Sequence, residues 1–414
     1  MVHRSRIRAA AFCWLLGVSG LWAEPNWKVG GKPLQIHGFA SQGFAVSDDN
    51  NYLTMRTTSG SFAFTDAGLN AAMPLTDKFR VGAQFYVRNV GEFGQGRPQL
   101  DWAVADYRFA DWFGIRGGKV KTVVSLYNDT QDMVFLHPWA LMPGSLYSVD
   151  ARGDTIAHLG ADLYGTIPAG DAGSFAYTVY GGKRPSDMQG GFVYGLETSS
   201  LVTTPSGPVY VVAIGKQIDS YSGPTYGADV RWNAPLPGLL LGGSYMKLDT
   251  TIRGSYLSNG RPYENHTLRN DLVAAYGQYT WRQLEFTGEY RKEVKNTLYN
   301  SSNGAIAPPS LRNSRGGYGA VVYRPAQWFE CGTYHSRFVL NWDQNHGDPR
   351  NHVFDQAFTA RFNWKHEVHL KVEGHLIDGA MINSGLNRGF YAASNPDGLE
   401  PEMKMLVLRL GWNF

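Results

Sequence analysis

Cysteine, charge and long apolar runs are all scarce in this chain, and each shortage removes a class of protein. Among 414 residues only two are cysteine, Cys13 and Cys331, so no disulfide framework holds a small secreted fold together. Charged residues make up 18%. Beyond the N-terminus the longest unbroken apolar run is Val209–Ile214, far short of the ~20 residues a spanning helix needs. With a mean hydropathy of −0.29, a helical transporter or receptor is excluded. No Gly-x-Ser-x-Gly elbow, phosphate loop or dinucleotide fingerprint stands in a usable context, and no Cys/His spacing suits zinc. The sequence therefore names no catalytic residue, metal ligand or cofactor, and the expectation is a protein that is not an enzyme.

Rings and glycine, by contrast, are plentiful: 12 Trp, 23 Tyr, 21 Phe and 49 Gly. Disordered chains are poor in rings, so this chain folds. At the N-terminus His3, Arg4, Arg6 and Arg8 precede an apolar stretch from Ala9 to Leu21, with Ala23 as a small residue before Glu24. That pattern is a secretory signal peptide over residues 1–23, leaving 24–414 as one domain. The chain has 38 Lys+Arg against 35 Asp+Glu, and residues 1–23 hold three of the arginines and no acid. The remainder is electrically balanced, which gives no support for nucleic-acid binding.

From about Leu34 onward apolar and polar residues alternate with the period of a β-strand. Phe79, Val81, Ala83, Phe85 and Val87 take one face of a segment whose other face holds Arg80, Gly82, Gln84, Tyr86 and Arg88. At the end, Leu406, Leu408, Leu410, Trp412 and Phe414 alternate with Val407, Arg409, Gly411 and Asn413. A soluble sandwich rarely keeps charged faces on so many long strands, whereas a barrel with lipid outside and water inside demands them. Short breaks at 74–77, 110–112, 168–172, 204–207, 234–238, 281–282, 324–327 and 365 alternate with longer polar segments. Those longer segments lie at 47–60, 89–98, 122–154, 183–191, 218–224, 250–270, 294–314, 342–352 and 379–402. Tight turns on one side and long loops on the other give a closed antiparallel transmembrane β-barrel of about 18 strands, or about 16 if boundaries shift by a few residues. Trp102, Trp112, Phe113, Tyr164, Trp232, Trp281, Trp328 and Trp364 flank the crossings, as interfacial girdles do.

The last segment, Met405-Leu-Val-Leu-Arg-Leu-Gly-Trp-Asn-Phe414, resembles the closing strand of Gram-negative outer-membrane proteins. Arg116-Gly-Gly-Lys-Val-Lys-Thr122 followed by Leu126-Tyr-Asn-Asp-Thr-Gln-Asp132 is similar to a segment of porin-like proteins related to phosphate-selective and dicarboxylate-type porins. The resemblance implies an outer-membrane channel, with Trp412 and Phe414 carrying the signal that the barrel assembly machinery reads. It also implies outer-membrane lipid and lipopolysaccharide as surroundings, and a homotrimer by analogy. In such porins the long loop at the position of 122–154 folds inward and narrows the lumen.

Here that loop carries Asp129, Asp132, Asp150 and Asp154 against Arg152, and its apolar patches Met133–Leu136 and Trp139–Met142 suit an inner wall rather than water. Inward-facing positions supply Arg80, Arg88, Arg116, Arg361, Lys371 and Arg409. The expectation is a constriction with acids on the loop and bases on one wall, its transverse field orienting polar or charged solutes. The alternative is that inward charges only keep the lumen wet. His158 shares its face with Asp162, and His369 and His375 share theirs with Glu373, as polar lining rather than a metal site. Lys119 and Lys121 fall on the apolar parity, so that strand either ends early or bulges. The expected function is passive diffusion of small hydrophilic solutes. A porin selective for small anions such as carboxylates or phosphate-like groups stands second, and a barrel-embedded hydrolase or a surface adhesin represents other classes.

Overall fold

The computed structural model describes residues 27–198, 202–204, 207–209, 215–365, 367–381 and 388–414; the expected signal peptide lies outside them. Sixteen strands close into one antiparallel barrel. In chain order they are β1 (Lys32–Ser47), β2 (Ser61–Pro74), β3 (Phe79–Val90), β4 (Gln99–Ala110), β5 (Phe113–Lys121), β6 (Ala157–Pro168), β7 (Ser174–Lys183) and β8 (Pro224–Asn233). Then follow β9 (Leu239–Leu248), β10 (Pro262–Trp281), β11 (Leu284–Tyr299), β12 (Ser310–Ala326), β13 (Phe329–Val339), β14 (His352–Trp364), β15 (Val368–Asp378) and β16 (Glu402–Asn413). Each strand pairs with its sequence neighbours, and β16 returns to β1 with Phe39 opposite Asn413 and Ser47 opposite Met405. Closure pairs the sheet's edge groups, which an apolar surrounding requires. Among the described residues no helix is long and apolar enough to cross a membrane.

The alternation read from the sequence is the alternation of the wall. On β3, Gln84, Tyr86 and Arg88 are buried inside while Phe85 is 58% exposed outside. On β16, Met403, Met405, Val407 and Arg409 point in and Leu406 points out. Trp112, Trp281, Trp328 and Trp364 are exposed at the short-turn end.

Two strands fewer are present than the larger estimate because one predicted turn lies outside the barrel. The break at 204–207 falls between Val202–Thr204 and Gly207–Val209, which among the described residues pair only with each other. Three-residue strands are far too short to cross a bilayer, which takes ~9–11 residues. The expected loop at 218–224 is instead the strand Lys216–Ser222, which pairs with Thr251–Tyr256 and extends the wall beyond β8 and β9. The described residues between β7 and β8 thus belong to one excursion, which also contains the helix Gly191–Thr198. Neither alternative holds for Lys119 and Lys121: β5 runs through both, ending at Lys121, and skips no partner in its register. Lys119 Nζ donates to the Leu100 carbonyl at 2.5 Å.

The largest core cluster lies inside the wall, where loops meet its inner face. Leu53, Phe93, Ala140, Leu141, Phe390 and Tyr391 pack there against Phe64, Met405 and Val407.

Candidate functional site

Residues 122–156 run from β5 into the barrel and touch the inner wall on many sides. Ser125 N donates to Ser244 Oγ on β9 at 2.9 Å, and Leu126 N to Glu289 on β11 at 2.9 Å. Glu289 also accepts the hydroxyls of Tyr147 (2.7 Å) and Tyr318 (2.6 Å), so this buried carboxylate ties both ends of the loop to β11 and β12. Across the lumen, Glu373 on β15 accepts the backbone N–H groups of Ala140 and Leu141 at 2.9 and 2.8 Å. A buried carboxylate with several N–H and O–H donors recovers much of its lost hydration. The helix Gly191–Thr198 presses on the loop at Gly191, where an added Cβ would collide with Asp150.

Three expected cations form one inward row. Arg361, Lys371 and Arg409 are opposite one another across β14, β15 and β16. They meet loop carbonyls rather than loop acids. Arg361 donates to His137 O (3.1 Å), Lys371 to Val134 O (2.6 Å) and Trp139 O (2.8 Å), and Arg409 to Ala140 O (2.8 Å). Arg409 also pairs with Asp66 at 2.9 Å. The remaining three stand apart from this row. Arg80 pairs with Asp106 at 3.0 Å near the short-turn rim, and Arg116 with Asp162 at 3.0 Å. Arg88 bonds Asp187 at 2.6 Å and Val149 O at 3.2 Å.

The loop acids are largely committed elsewhere. Asp132 pairs with Lys121 at 2.8 Å and accepts from Gln84 at 2.7 Å. Burial alone would raise its pKa, but Lys121 and Arg152 hold it below the usual carboxylate range. Asp150 accepts the Tyr391 hydroxyl at 2.8 Å, and Asp154 pairs with Arg184 at 2.7 Å. Asp129 reaches only Arg231, at 3.9 Å. His158 lies between Thr122 (3.0 Å) and Asp162 (2.8 Å). The single basic wall facing an acidic loop therefore does not form as expected: half the bases gather, and they hold backbone.

A second cationic group, absent from the sequence reading, lines a narrow cavity of about 60 Å³ between the loop and the wall at β9–β11. Arg184, Arg291, Lys295 and Arg388 line it, with Asp154 and Glu293. Arg312 on β12 stands directly across from Lys295. Arg291 donates to the carbonyls of Leu146 (3.3 Å) and Ser145 (3.4 Å), and Arg388 to that of Gly144 (3.3 Å). Carbonyls satisfy N–H groups without cancelling charge. Burial, and then Arg291 nearby, push the Arg388 guanidinium down to about 10. The signal for this group was present: Glu289, Arg291, Glu293 and Lys295 alternate on one face of β11. It was lost because 294–314 reads as a loop, whereas β11 continues to Tyr299 and β12 begins at Ser310.

No family model matches the sequence, and no curated protein does. Solved structures match over almost the whole chain at low identity. The outer membrane channel DcaP of Acinetobacter baumannii aligns with a TM-score of 0.53 at 9% identity, covering 94% of this chain and 99% of its own. The anion-selective porin from Comamonas acidovorans gives 0.53 at 10% identity, covering 92% and 100%. Salmonella typhi OmpF, in complex with daunomycin, gives 0.54 at 10%, covering 93% and 98%. The barrel thus has the fold of Gram-negative outer-membrane porins.

Proposed function

We propose that this protein is a bacterial outer-membrane channel through which small hydrophilic solutes diffuse passively, with a preference for anions. The observation that carries the preference is the lumen group Arg291, Lys295, Arg312 and Arg388, whose lining includes one unpaired carboxylate, Glu293, and the already paired Asp154. In a narrow passage with low-dielectric walls, such a charge excess raises the local concentration of anions and opposes cations. The 122–156 loop acts as the constriction, and the long side chains facing it across the cavity swing aside for a passing solute. The porin fold and the outward apolar belt support placement in the outer membrane. Trp412 and Phe414, whose rings lie 4.8 Å apart at the end of the closing strand, serve as the assembly signal. Homotrimer formation draws support from Ala71, Ala83 and Ala103, small side chains in one outward cross-strand row.

The test is single-channel recording in planar bilayers under a KCl gradient. The expected result is discrete steps with a reversal potential favouring Cl⁻, moved toward K⁺ by Lys295→Glu with Arg312→Glu. A cation preference in the unaltered protein would overturn the anion reading. An inserted barrel without conductance would overturn the channel and bring the adhesin forward.

A further inference from the structure

The outward face of the barrel carries charges that conduction does not use. Lys292 on β11 and Arg315 on β12 are directly opposite in register, and Arg337 on β13 is opposite Gly317, two positions along β12. All three point away from the lumen, since the buried Ser314, Gly316, Ser336 and Phe338 hold the inward positions beside the two arginines. Lys292 is exposed next to the inward Arg291. Like charges directly across an antiparallel pair repel. Among the described residues no carboxylate comes within 4.0 Å of any of the three. Two of them lie over rings that orient without neutralising: Arg315 is 4.2 Å from the Trp342 centroid and Arg337 is 4.3 Å from that of Phe354. The Arg315 Nε is buried with no acceptor.

Below this cluster the wall is hollow. Gly288 and Gly319 face outward directly opposite each other, and a Cβ added to Gly319 would meet nothing within 4 Å. Tyr290 and Arg337 stand on either side of Gly317, so Gly317 and Gly319 on β12, with Gly288 beside them on β11, leave a short, shallow groove in the outer surface below the three cations. At the rise and tilt of barrel strands, Lys292 and Arg337 sit roughly 20 Å above the short-turn rim, near the outer boundary of a ~25 Å apolar band. Cations at that height reach the headgroups of the loop-side leaflet.

We propose that this groove binds a phosphate-bearing lipid of the outer leaflet, with its phosphate held by Lys292, Arg315 and Arg337 and an acyl chain laid along Gly288 and Gly319. The charge of a phosphate complements a cluster that no carboxylate of the described residues pairs with, and guanidinium pairs suit its oxygens. The glycine floor accounts for a chain attached to that phosphate, which a free anion does not need.

The experiment uses the full barrel in a neutral detergent, with bis-phosphorylated lipid A, phosphatidylcholine and inorganic phosphate as probes. Native mass spectrometry reads retention. Lipid A is expected to be held about tenfold or more tightly than phosphatidylcholine, given charge-assisted contacts, and equimolar inorganic phosphate should not displace it. Lys292→Gln with Arg315→Gln and Arg337→Gln should remove that advantage. Gly319→Leu keeps every cation, fills the groove and should also weaken retention, whereas Lys404→Gln on β16 should not. Equal binding of phosphatidylcholine, displacement by inorganic phosphate, or undiminished lipid A binding in the triple variant would each overturn the site. If the triple variant fails to assemble, Gly319→Leu decides alone, and unchanged retention there overturns the proposal. Ion selectivity, set inside the lumen, should stay constant in all these variants, so the two proposals fail separately.

Discussion

Two cationic groups face the same lumen from neighbouring arcs of the wall and meet different fates. On β14–β16, Arg361, Lys371 and Arg409 stand in one cross-strand row and are consumed by the loop: every one donates to a carbonyl between Val134 and Ala140. On the β11–β12 side, Arg291, Lys295 and Arg388 line a cavity with Arg312 directly across from Lys295, and the loop supplies carbonyls to only part of the group. Residue type alone does not separate an anchor from a selectivity element. What separates them is whether the loop backbone lies within hydrogen-bond reach, because a docked carbonyl immobilises a cation that open water leaves available to a solute.

The largest effect should come from breaking the anchored side. Lys371 is fully buried with its ammonium between Val134 O and Trp139 O. Lys371→Ala leaves those buried carbonyls without their donor, at a cost of about 1–3 kcal/mol for each group left unsatisfied. The loop is expected to undock, seen as new proteolytic cuts within 122–156 and a conductance step well above the unaltered one. A variant with intact loop protection would show that the anchor lies elsewhere, at Glu289.

Acid should act on the same side to a lesser degree. Burial, reinforced by Lys371, pushes His137 down to about 4 from its usual 6.5. Its Nε2 donates to Thr130 O at 3.1 Å, as a neutral ring can. The folded value lies below the unfolded one, so the docked loop binds fewer protons. The contribution is fully present above pH 6.5 and is lost as pH falls through 4, up to about 3 kcal/mol. Loop protection should therefore decline over that window, and His137→Asn should flatten the decline. A decline unchanged in His137→Asn would assign it to the carboxylates.

On the cavity side, Lys295→Glu alone is expected to shift the Cl⁻/K⁺ permeability ratio several-fold without changing loop protection. The shift should be larger in dilute salt than at 1 M, where the screening length is only ~3 Å. A shift of equal size from Lys371→Gln would erase the distinction between the two walls.

Most of the wall was legible because lipid outside and water inside impose a two-residue period, which β3 and β16 follow from end to end. That period fades where strands rise beyond the bilayer, since both faces then meet polar surroundings. Lys295 and Arg312 sit in such stretches and read as loop. The strand count took the lower of its two values for the opposite reason: the Pro-Ser-Gly signal at 204–207 reads the same whether its flanks span the membrane or, among the described residues, pair only with each other. Within the candidate site, residue types and inward parity were readable at Arg361, Lys371 and Arg409. Their partners were not, because a backbone carbonyl of a loop leaves no trace in residue type.

The smallest effect sharpens the comparison by its absence. Arg80 pairs with Asp106 at 3.0 Å, yet its side chain is 61% exposed near the short-turn rim. Water and salt screen such a pair, whose worth is about 0–1 kcal/mol, and neither the loop nor the cavity cations touch it. Arg80→Ala is therefore expected to leave loop protection and thermal stability within error and to alter the Cl⁻/K⁺ ratio only marginally in dilute salt. A shift as large as that from Lys295→Glu would place the selective point at the short-turn mouth, where the field of a single exposed guanidinium would then have to exceed that of four cations clustered in the lumen.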